Sequence, residues 1–120
     1  MEELFGDRVN FDPQERRFYA YDVGTMPGMM KRFSGSNLPA GIVQPDSQDE
    51  LVQLMRWAQE NKIPLIPRGK ATSGYGGAVP TRSGLVIESN RMKQILEIIV
   101  EERTVMVQAG VVWDKLEAEL

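Results

Sequence analysis

From residue 41 onwards, the hydrophobic positions form short apolar runs separated by one segment of helical spacing. The run 41–45 predicts a short strand that ends at its proline, Pro45. Ser47 and Glu50, three residues apart, form a capping-box pattern and predict that a helix begins there. The helix should end at Asn61, because a proline follows three residues later. The apolar residues at helical spacing on one face are Leu51, Leu54, Met55 and Ala58.

Further apolar runs predict two more strands and a hairpin. Residues 63–67 should form a buried strand that leads into a glycine-rich segment, and residues 85–87 a third strand. The order strand, helix, strand favours parallel pairing through a right-handed crossover. Residues 95–100 and 104–108 flank the charged residues 101–103, which predicts an antiparallel hairpin with a solvated tip.

The two ends of the chain have weaker patterns. Residues 1–40 contain many aromatic residues and methionines without a sustained period, and we expect a short helix at 13–19 followed by an irregular arm. From Val112 the spacing of Trp113, Leu116 and Leu120 predicts another helix, and no capping signal follows it. We therefore expect an N-terminal arm at 1–40 and, at 41–120, the incomplete front of a domain in a longer protein.

Composition excludes several functions. The 120 residues carry a net charge of −3 without a basic stripe, which disfavours nucleic acid as a partner. No apolar run reaches the length of a membrane span, and the N-terminus lacks a signal-peptide pattern. We therefore expect a cytoplasmic protein, with association to a membrane through another subunit left open. The chain has no cysteine and no histidine, so thiol chemistry and the commonest metal ligand are absent, and no metal site is predicted.

The most informative segment is residues 67–80, which we call the glycine loop. Five of the eleven glycines fall between Gly69 and Gly84, next to two cations and two hydroxyl groups. Glycine lets several backbone N–H groups converge on one anion, and a pyrophosphate suits this set of donors. A flexible turn is the ordinary alternative, but it needs neither cations nor hydroxyls. The spacing matches neither the Walker loop nor the Rossmann fingerprint.

Several short motifs occur together in one order along the chain. They are Ile-Val-Gln-Pro-x-Ser-x-x-Glu-Leu, Ile-Pro-Leu-Ile-Pro-Arg-Gly, Thr-Ser-Gly-Tyr-Gly-Gly-Ala-Val-Pro, Gly-Leu-Val-Ile, Arg-Met and Val-Gln-Ala-Gly-Val-Val-Trp. From about residue 41 to residue 120, this order resembles the FAD-linked oxidases of the p-cresol methylhydroxylase and vanillyl-alcohol oxidase type. Within them it is most similar to the D-lactate dehydrogenase and glycolate oxidase branch.

The resemblance implies an α+β fold, the FAD-binding PCMH-type domain. Its first βαβ subdomain contains a small parallel sheet, and the start of an antiparallel second subdomain follows. In such proteins the loop wraps the FAD pyrophosphate mainly through backbone N–H groups. The residues matched to these contacts are Arg68, Gly69, Lys70, Ala71, Thr72, Ser73, Gly76 and Gly77.

Three further residues match positions that the resemblance connects with the cofactor. Pro45 corresponds to a proline at the end of the first strand, and Met92 and Gly110 correspond to positions near the flavin or its ribityl chain. Core packing is an equal alternative for Met92, and a tight strand-to-helix turn for Gly110. Asp22 matches a recurrent aspartate of the family, although we expect a turn or cap residue there. Trp57 and Trp113 fit helix packing better than flavin stacking.

The resemblance also implies a reaction. The whole protein would oxidise a small 2-hydroxy acid, of the D-lactate or glycolate type, by hydride transfer to FAD. The electrons would then pass to an acceptor protein or a quinone. The catalytic residues should lie in later parts of the chain and are not identified, so the 120 residues alone should be inactive. Thr72 stands about where some relatives carry a histidine that tethers FAD covalently, so FAD should be bound non-covalently here.

Two alternatives stay open from the sequence. A non-catalytic module of related fold, such as those attached to transporters, would bind a nucleotide or a partner without a redox step. A reductase that makes cell-wall precursors shares the flavin module, but its loop begins Gly-x-Gly-Ser, whereas this loop has Arg-Gly-x-x-Thr-Ser.

Overall fold

The structure, a computed structural model, describes residues 2–24 and 38–120. The arm predicted at 20–40 therefore lies mostly outside the described residues. The helices are α1 (Glu2–Phe5), α2 (Pro13–Phe18), α3 (Gln48–Glu60) and α4 (Trp113–Glu117), with a 3-10 helix at Gly6–Arg8. The strands are β1 (Val9–Asn10), β2 (Gly41–Val43), β3 (Leu65–Arg68), β4 (Leu85–Glu88), β5 (Ile95–Ile99) and β6 (Thr104–Val107). None of the helices in these ranges is long and apolar enough to cross a membrane.

The larger sheet has the strand order β1-β2-β4-β3. Strands β2, β4 and β3 are parallel, and β1 adds to the edge as an antiparallel strand. Val86 in β4 lies opposite Ile42 on one side and Ile66 on the other, and it is fully buried. The predicted parallel sheet and the mixed α+β class are confirmed, while β1 was not predicted because two residues give no period.

Strand β4 enters between the two strands that α3 connects, so β3 becomes an edge strand. For this reason the prediction of a buried strand at 63–67 is wrong about burial, because the observed strand is half-buried. Pro67 is tolerated there because an edge strand leaves one row of backbone groups unpaired. The central position belongs to β4, in which Leu85 and Val86 are buried.

Helix α3 follows the predicted capping pattern. The Ser47 hydroxyl accepts a hydrogen bond from the Glu50 N–H at 3.3 Å, and the helix is capped at its other end by Asn61. Lys62 has a φ of 54°, the left-handed conformation that often terminates a helix. Of the four apolar residues on the predicted face, Leu54 and Ala58 are buried, whereas Met55 is 53% exposed.

The N-terminal segment packs into the core. Phe5 is 2% exposed and forms a buried cluster with Val43, Leu54 and Leu85. Helix α2 was predicted correctly and begins at the cap residue Asp12, whose side chain accepts hydrogen bonds from two backbone N–H groups. The burial of Phe5 was not predicted, because a single aromatic residue without periodic neighbours does not show which surface it will cover.

Strands β5 and β6 form the predicted antiparallel hairpin, with a register shift between Ile95 and Glu97. The charged tip at 101–103 is exposed, as expected. Trp57 packs against the core cluster, which confirms its packing role. The same prediction for Trp113 is wrong: its side chain is 80% exposed, because α4 is short and buries Leu116 instead.

Candidate functional site

The glycine loop begins at the carboxyl end of β3 and the chain then returns to the start of β4. Residues 69–84 make this parallel crossover without a helix or a strand of their own. Ligands of parallel sheets commonly bind at the carboxyl ends of the strands. The first residues of the loop, which carry most of the predicted cofactor contacts, therefore stand at the edge of the sheet where such ligands bind.

The first part of the loop presents unpaired backbone donors. The N–H groups of residues 69–73 donate to no acceptor among the described residues. Ala71 lies in this stretch with a φ of 51°, a left-handed conformation that is uncommon for a residue with a Cβ. A Cβ added to Gly69 or Gly77 would meet no heavy atom of the described residues within 4 Å. These residues therefore combine free donors with open space, and they fit the pyrophosphate of a dinucleotide.

Some N–H groups in the later part of the loop already have acceptors among the described residues. The Gly76 N–H donates to the Asp22 carboxylate at 2.7 Å, and the Tyr75 N–H donates to the Ser73 hydroxyl at 3.4 Å. Gly76 has a φ of 78°, which explains the glycine at this position. Its N–H is therefore already paired, in contrast to the run of unpaired donors at residues 69–73.

The two predicted cations have different surroundings. Arg68 is half-buried, and its Nη1 donates to the Tyr21 carbonyl oxygen at 2.9 Å and to the Ala78 carbonyl oxygen at 3.4 Å. Its guanidinium also lies 5.1 Å from the centroid of the Tyr19 ring. Lys70 is exposed and has no hydrogen bond or ion pair with any residue that the structure describes. Arg68 thus ties together both ends of the loop and the N-terminal arm, whereas Lys70 is available to an anion.

A polar network fixes the Tyr19 ring beneath Arg68. The Tyr19 hydroxyl donates to Glu88 at 2.8 Å, and Gln44 also donates to that carboxylate. Arg91 Nε donates to the Gln44 side-chain oxygen at 3.2 Å. Burial, assisted by the hydrogen bond to Glu88, raises the pKa of Tyr19 to about 12. The phenol therefore stays neutral near pH 7 and keeps donating to Glu88.

Asp22 is the residue whose role the sequence showed only in part. Its Oδ1 accepts a hydrogen bond from the Gly24 N–H at 2.9 Å, which confirms the expected turn. Its Oδ2 accepts the Gly76 N–H described above, across 54 positions of the chain. The Asp-x-Gly spacing indicates the local turn, but no local pattern could reveal a contact with the glycine loop.

The remaining predicted residues lie in tight or buried surroundings. Pro45 is fully buried, and Met92 is 7% exposed. The Gly110 N–H donates to the Met92 carbonyl oxygen at 2.7 Å, and a Cβ at Gly110 would overlap the Ser89 carbonyl oxygen. The structure thus brings Met92 and Gly110 into contact, with surroundings that agree with packing and with a tight turn.

A cleft of about 500 Å³ connects the start of the glycine loop with Met92. Arg68 and Gly69 contribute to one side, and α3 contributes Leu51 and Met55. Most of its other lining residues are apolar, namely Leu65, Pro67, Ile87 and Ala109, with Ser89 as a polar exception. The cleft therefore joins an apolar wall to the region of unpaired donors. Among the described residues, no group of three His, Cys, Asp or Glu could hold a metal ion.

Comparison with known proteins identifies a family and several relatives. Residues 39–120 match the family described as FAD binding domain. The chain is 34% identical over 105 residues to glycolate oxidase subunit GlcD of Bacillus subtilis (strain 168). This match covers 86% of this chain and 21% of that protein. It is 27% identical over 116 residues to the mitochondrial D-lactate dehydrogenase (cytochrome) of Arabidopsis thaliana. That match covers 97% of this chain and 19% of that protein.

A solved structure of p-cresol methylhydroxylase with substrate bound is similar in fold. Its TM-score is 0.81 at 20% sequence identity, and the match covers 98% of this chain and 22% of that chain. At this identity the likeness shows the fold alone. The chain spans about a fifth of the length of the two curated relatives.

Proposed function

The chain belongs to the FAD binding domain family, and on that premise we propose that its glycine loop holds the pyrophosphate of FAD. FAD is the cofactor that this family and its oxidoreductase relatives indicate. The observation that carries the proposal is the run of N–H groups at residues 69–73, which find no acceptor among the residues described, beside open space at Gly69 and Gly77. Convergent backbone donors bind phosphate oxygens strongly, because each hydrogen bond to a charged oxygen is charge-assisted.

Side chains of the loop would complete the anion site. Lys70 is exposed and offers a positive charge, and Thr72 and Ser73 offer hydroxyl groups. Ala71 would use its left-handed conformation to direct neighbouring N–H groups towards the same point. We propose Arg68 and Gly76 as members of the site that act through the shape of the loop. Pro45, Met92 and Gly110 would line the path towards the flavin.

We propose that FAD is bound non-covalently. The 120 residues contain no histidine or cysteine that could form a tether, and Thr72 is not a nucleophile of that kind. Acid precipitation of the protein encoded by the natural gene should therefore release all yellow colour into the supernatant. Colour retained in the pellet would show a covalent link supplied by another part of the chain.

The proposed reaction is oxidation of a small 2-hydroxy acid, of the D-lactate or glycolate type. The names of the two relatives, a glycolate oxidase subunit and a D-lactate dehydrogenase, support this class. When bound, FAD supplies the hydride acceptor, and the residues of this chain bind and orient it. An acceptor protein or a quinone would take the electrons, in a cytoplasmic protein or one attached to a membrane through another subunit.

The test is titration of FAD into the protein encoded by the natural gene. Gly69→Ala should leave the apoprotein folded, because its Cβ would meet no atom within 4 Å in the part of the chain that the structure describes. It should weaken FAD binding about tenfold or more by displacing the pyrophosphate. Lys70→Gln should weaken FAD binding several-fold and reduce its salt dependence. Arg82→Gln is the matched control, since Arg82 is an exposed cation of the same crossover without a described partner.

Unchanged FAD affinity in both Gly69→Ala and Lys70→Gln would reject the proposed site.

Reduction of the bound flavin by D-lactate or glycolate, followed at its absorption band with an artificial acceptor present, tests the substrate class. A flavin that no 2-hydroxy acid reduces would instead favour another oxidoreductase substrate, and a wild-type protein without flavin would favour a non-catalytic module.

A further inference from the structure

The segment Tyr19–Gly24, which we call the brace, crosses the glycine loop and contacts it along its length. Arg68, at the start of the loop, donates to the Tyr21 carbonyl oxygen at 2.9 Å. The Val23 N–H donates to the Ala71 carbonyl oxygen at 3.4 Å, and Asp22 accepts the Gly76 N–H at 2.7 Å. The loop is therefore held at residues 68, 71 and 76 by one short piece of the N-terminal arm.

The Asp22 carboxylate joins the brace directly to the glycine loop. Both of its oxygens accept backbone N–H groups, one from Gly24 at 2.9 Å and one from Gly76 at 2.7 Å. Bonds from N–H groups to an ionised carboxylate are charge-assisted and stronger than neutral ones. Asp22 therefore fixes the left-handed turn at Gly76 against the brace.

The backbone of the brace lies unusually close to the loop at a second place. A Cβ added to Gly24 would overlap the Gly74 carbonyl oxygen, so a side chain there would push the two segments apart. The contact with Ala71 lies on the other side of the unpaired donors at Thr72 and Ser73. The donors thus project from a stretch whose two ends are both fixed by the brace.

We propose that Asp22 is a positioning residue, which holds the glycine loop in the conformation that receives the FAD pyrophosphate. The proposal rests on the proposed function of the loop. A preformed loop binds more tightly, because the loss of conformational freedom does not have to accompany ligand binding. The opposite role for Asp22 also has a physical basis. If its carboxylate repelled the pyrophosphate, or kept the Gly76 N–H from it, Asp22 would weaken FAD binding.

The experiment compares FAD affinity in Asp22→Ala, Asp22→Asn and the wild type, each in the protein encoded by the natural gene. Asp22→Ala should weaken FAD binding by about 10- to 100-fold, the factor expected for the loss of one hydrogen bond to a charged group. Asp22→Asn keeps the size but has one acceptor oxygen for two N–H donors, so its affinity should be intermediate. Glu15→Gln is the control, because it removes a carboxylate of the same arm that makes no hydrogen bond through its side chain within the described residues.

Two further readouts separate positioning from general stability. Hydrogen exchange at residues 69–77 should be faster in the Asp22→Ala apoprotein than in the wild-type apoprotein, and saturating FAD should restore protection. The turnover number at saturating FAD should remain near the wild-type value, since the ligand then orders the loop. A general loss of structure would instead raise exchange throughout the sheet and lower turnover at every FAD concentration.

The outcomes separate the two proposals. If the wild type does not bind FAD, the proposed function fails. If the wild type binds FAD and Asp22→Ala binds it equally well or more tightly, only the positioning role fails. If Asp22→Ala does not fold, Asp22→Asn and Gly24→Ala carry the test, and failure of all three to fold would overturn the positioning role in favour of a purely structural one.

Discussion

At Gly69 and Gly110, the same change from glycine to alanine would meet opposite surroundings. Gly69 is exposed with open space where a Cβ would stand, whereas at Gly110 a Cβ would overlap the Ser89 carbonyl oxygen. Neither residue has a positive φ, so the difference is steric rather than conformational. The two glycines therefore satisfy different requirements, although the sequence presents both as candidate cofactor contacts.

Gly110→Ala should destabilise the apoprotein by about 1–3 kcal/mol, the cost of overpacking a tight site. Gly69→Ala should change the free energy of unfolding by no more than about 0.5 kcal/mol, as surface substitutions usually do. Denaturant unfolding of both variants without FAD measures the difference. Equal stabilities would show that the backbone near Ser89 moves easily and that Gly110 is not needed for the turn.

At the scale of elements, an ion pair joins the N-terminal segment to α3. Arg8 donates to both Glu50 oxygens, at 2.5 and 2.6 Å, and also lies 2.9 Å from Asp46. The hydrogen bond from Arg8 lowers the pKa of Glu50 to about 2. The Asp46 N–H also donates to Glu50. In a capping box this glutamate would accept the N–H of the cap residue, Ser47, but here it accepts hydrogen bonds from Asp46 and Arg8 instead.

This pair predicts how stability depends on pH. Since the pKa of Glu50 is lower in the folded state, its contribution is present above pH 4.5, the ordinary value, and is lost as pH falls towards about 2. The free energy of unfolding should therefore fall less between pH 5 and pH 2 in Glu50→Gln than in the wild type. Denaturant unfolding across this range, with Glu15→Gln as the control, measures the difference. Parallel curves for the wild type and Glu50→Gln would contradict the prediction.

At the scale of the whole molecule, residues 2–24 belong to the same packed structure as the sheet. Phe5 enters the core cluster, β1 pairs with β2, and the brace crosses the glycine loop. The family match begins only at residue 39. The N-terminal segment therefore contributes to the core and contacts the glycine loop, although it lies before the residues that match the family.

Phe5→Ala should destabilise the protein by about 3–5 kcal/mol, the usual cost of removing a buried aromatic side chain. Phe18→Ala is the matched control, because Phe18 lies in the same N-terminal segment but is 72% exposed, and its removal should cost less than about 1 kcal/mol. Thermal unfolding of both variants tests the comparison. Similar losses of stability would mean that the N-terminal segment does not complete the core.

Most of the elements and the candidate loop could be predicted from the sequence, because their determinants are local. Helix α3 follows from Ser47 and the apolar spacing after it, and the hairpin follows from two apolar runs around a charged tip. The insertion of β4 between β2 and β3 could not be predicted, because the sequence of a short strand does not indicate which strands it will pair with. The half-buried state of β3 and the exposure of Trp113 depend on that arrangement and on which surfaces meet.

By itself, the sequence determined the chemical groups of the candidate site: glycines, two cations and two hydroxyls in one segment after a strand. Only the tertiary structure decided how these groups are used. It left the N–H groups of residues 69–73 without an acceptor in the described ranges 2–24 and 38–120, engaged Arg68 within the chain and placed Asp22 on the Gly76 N–H. The physical reason is that residue type and spacing set local conformation, whereas contacts between distant segments depend on how those segments pack together.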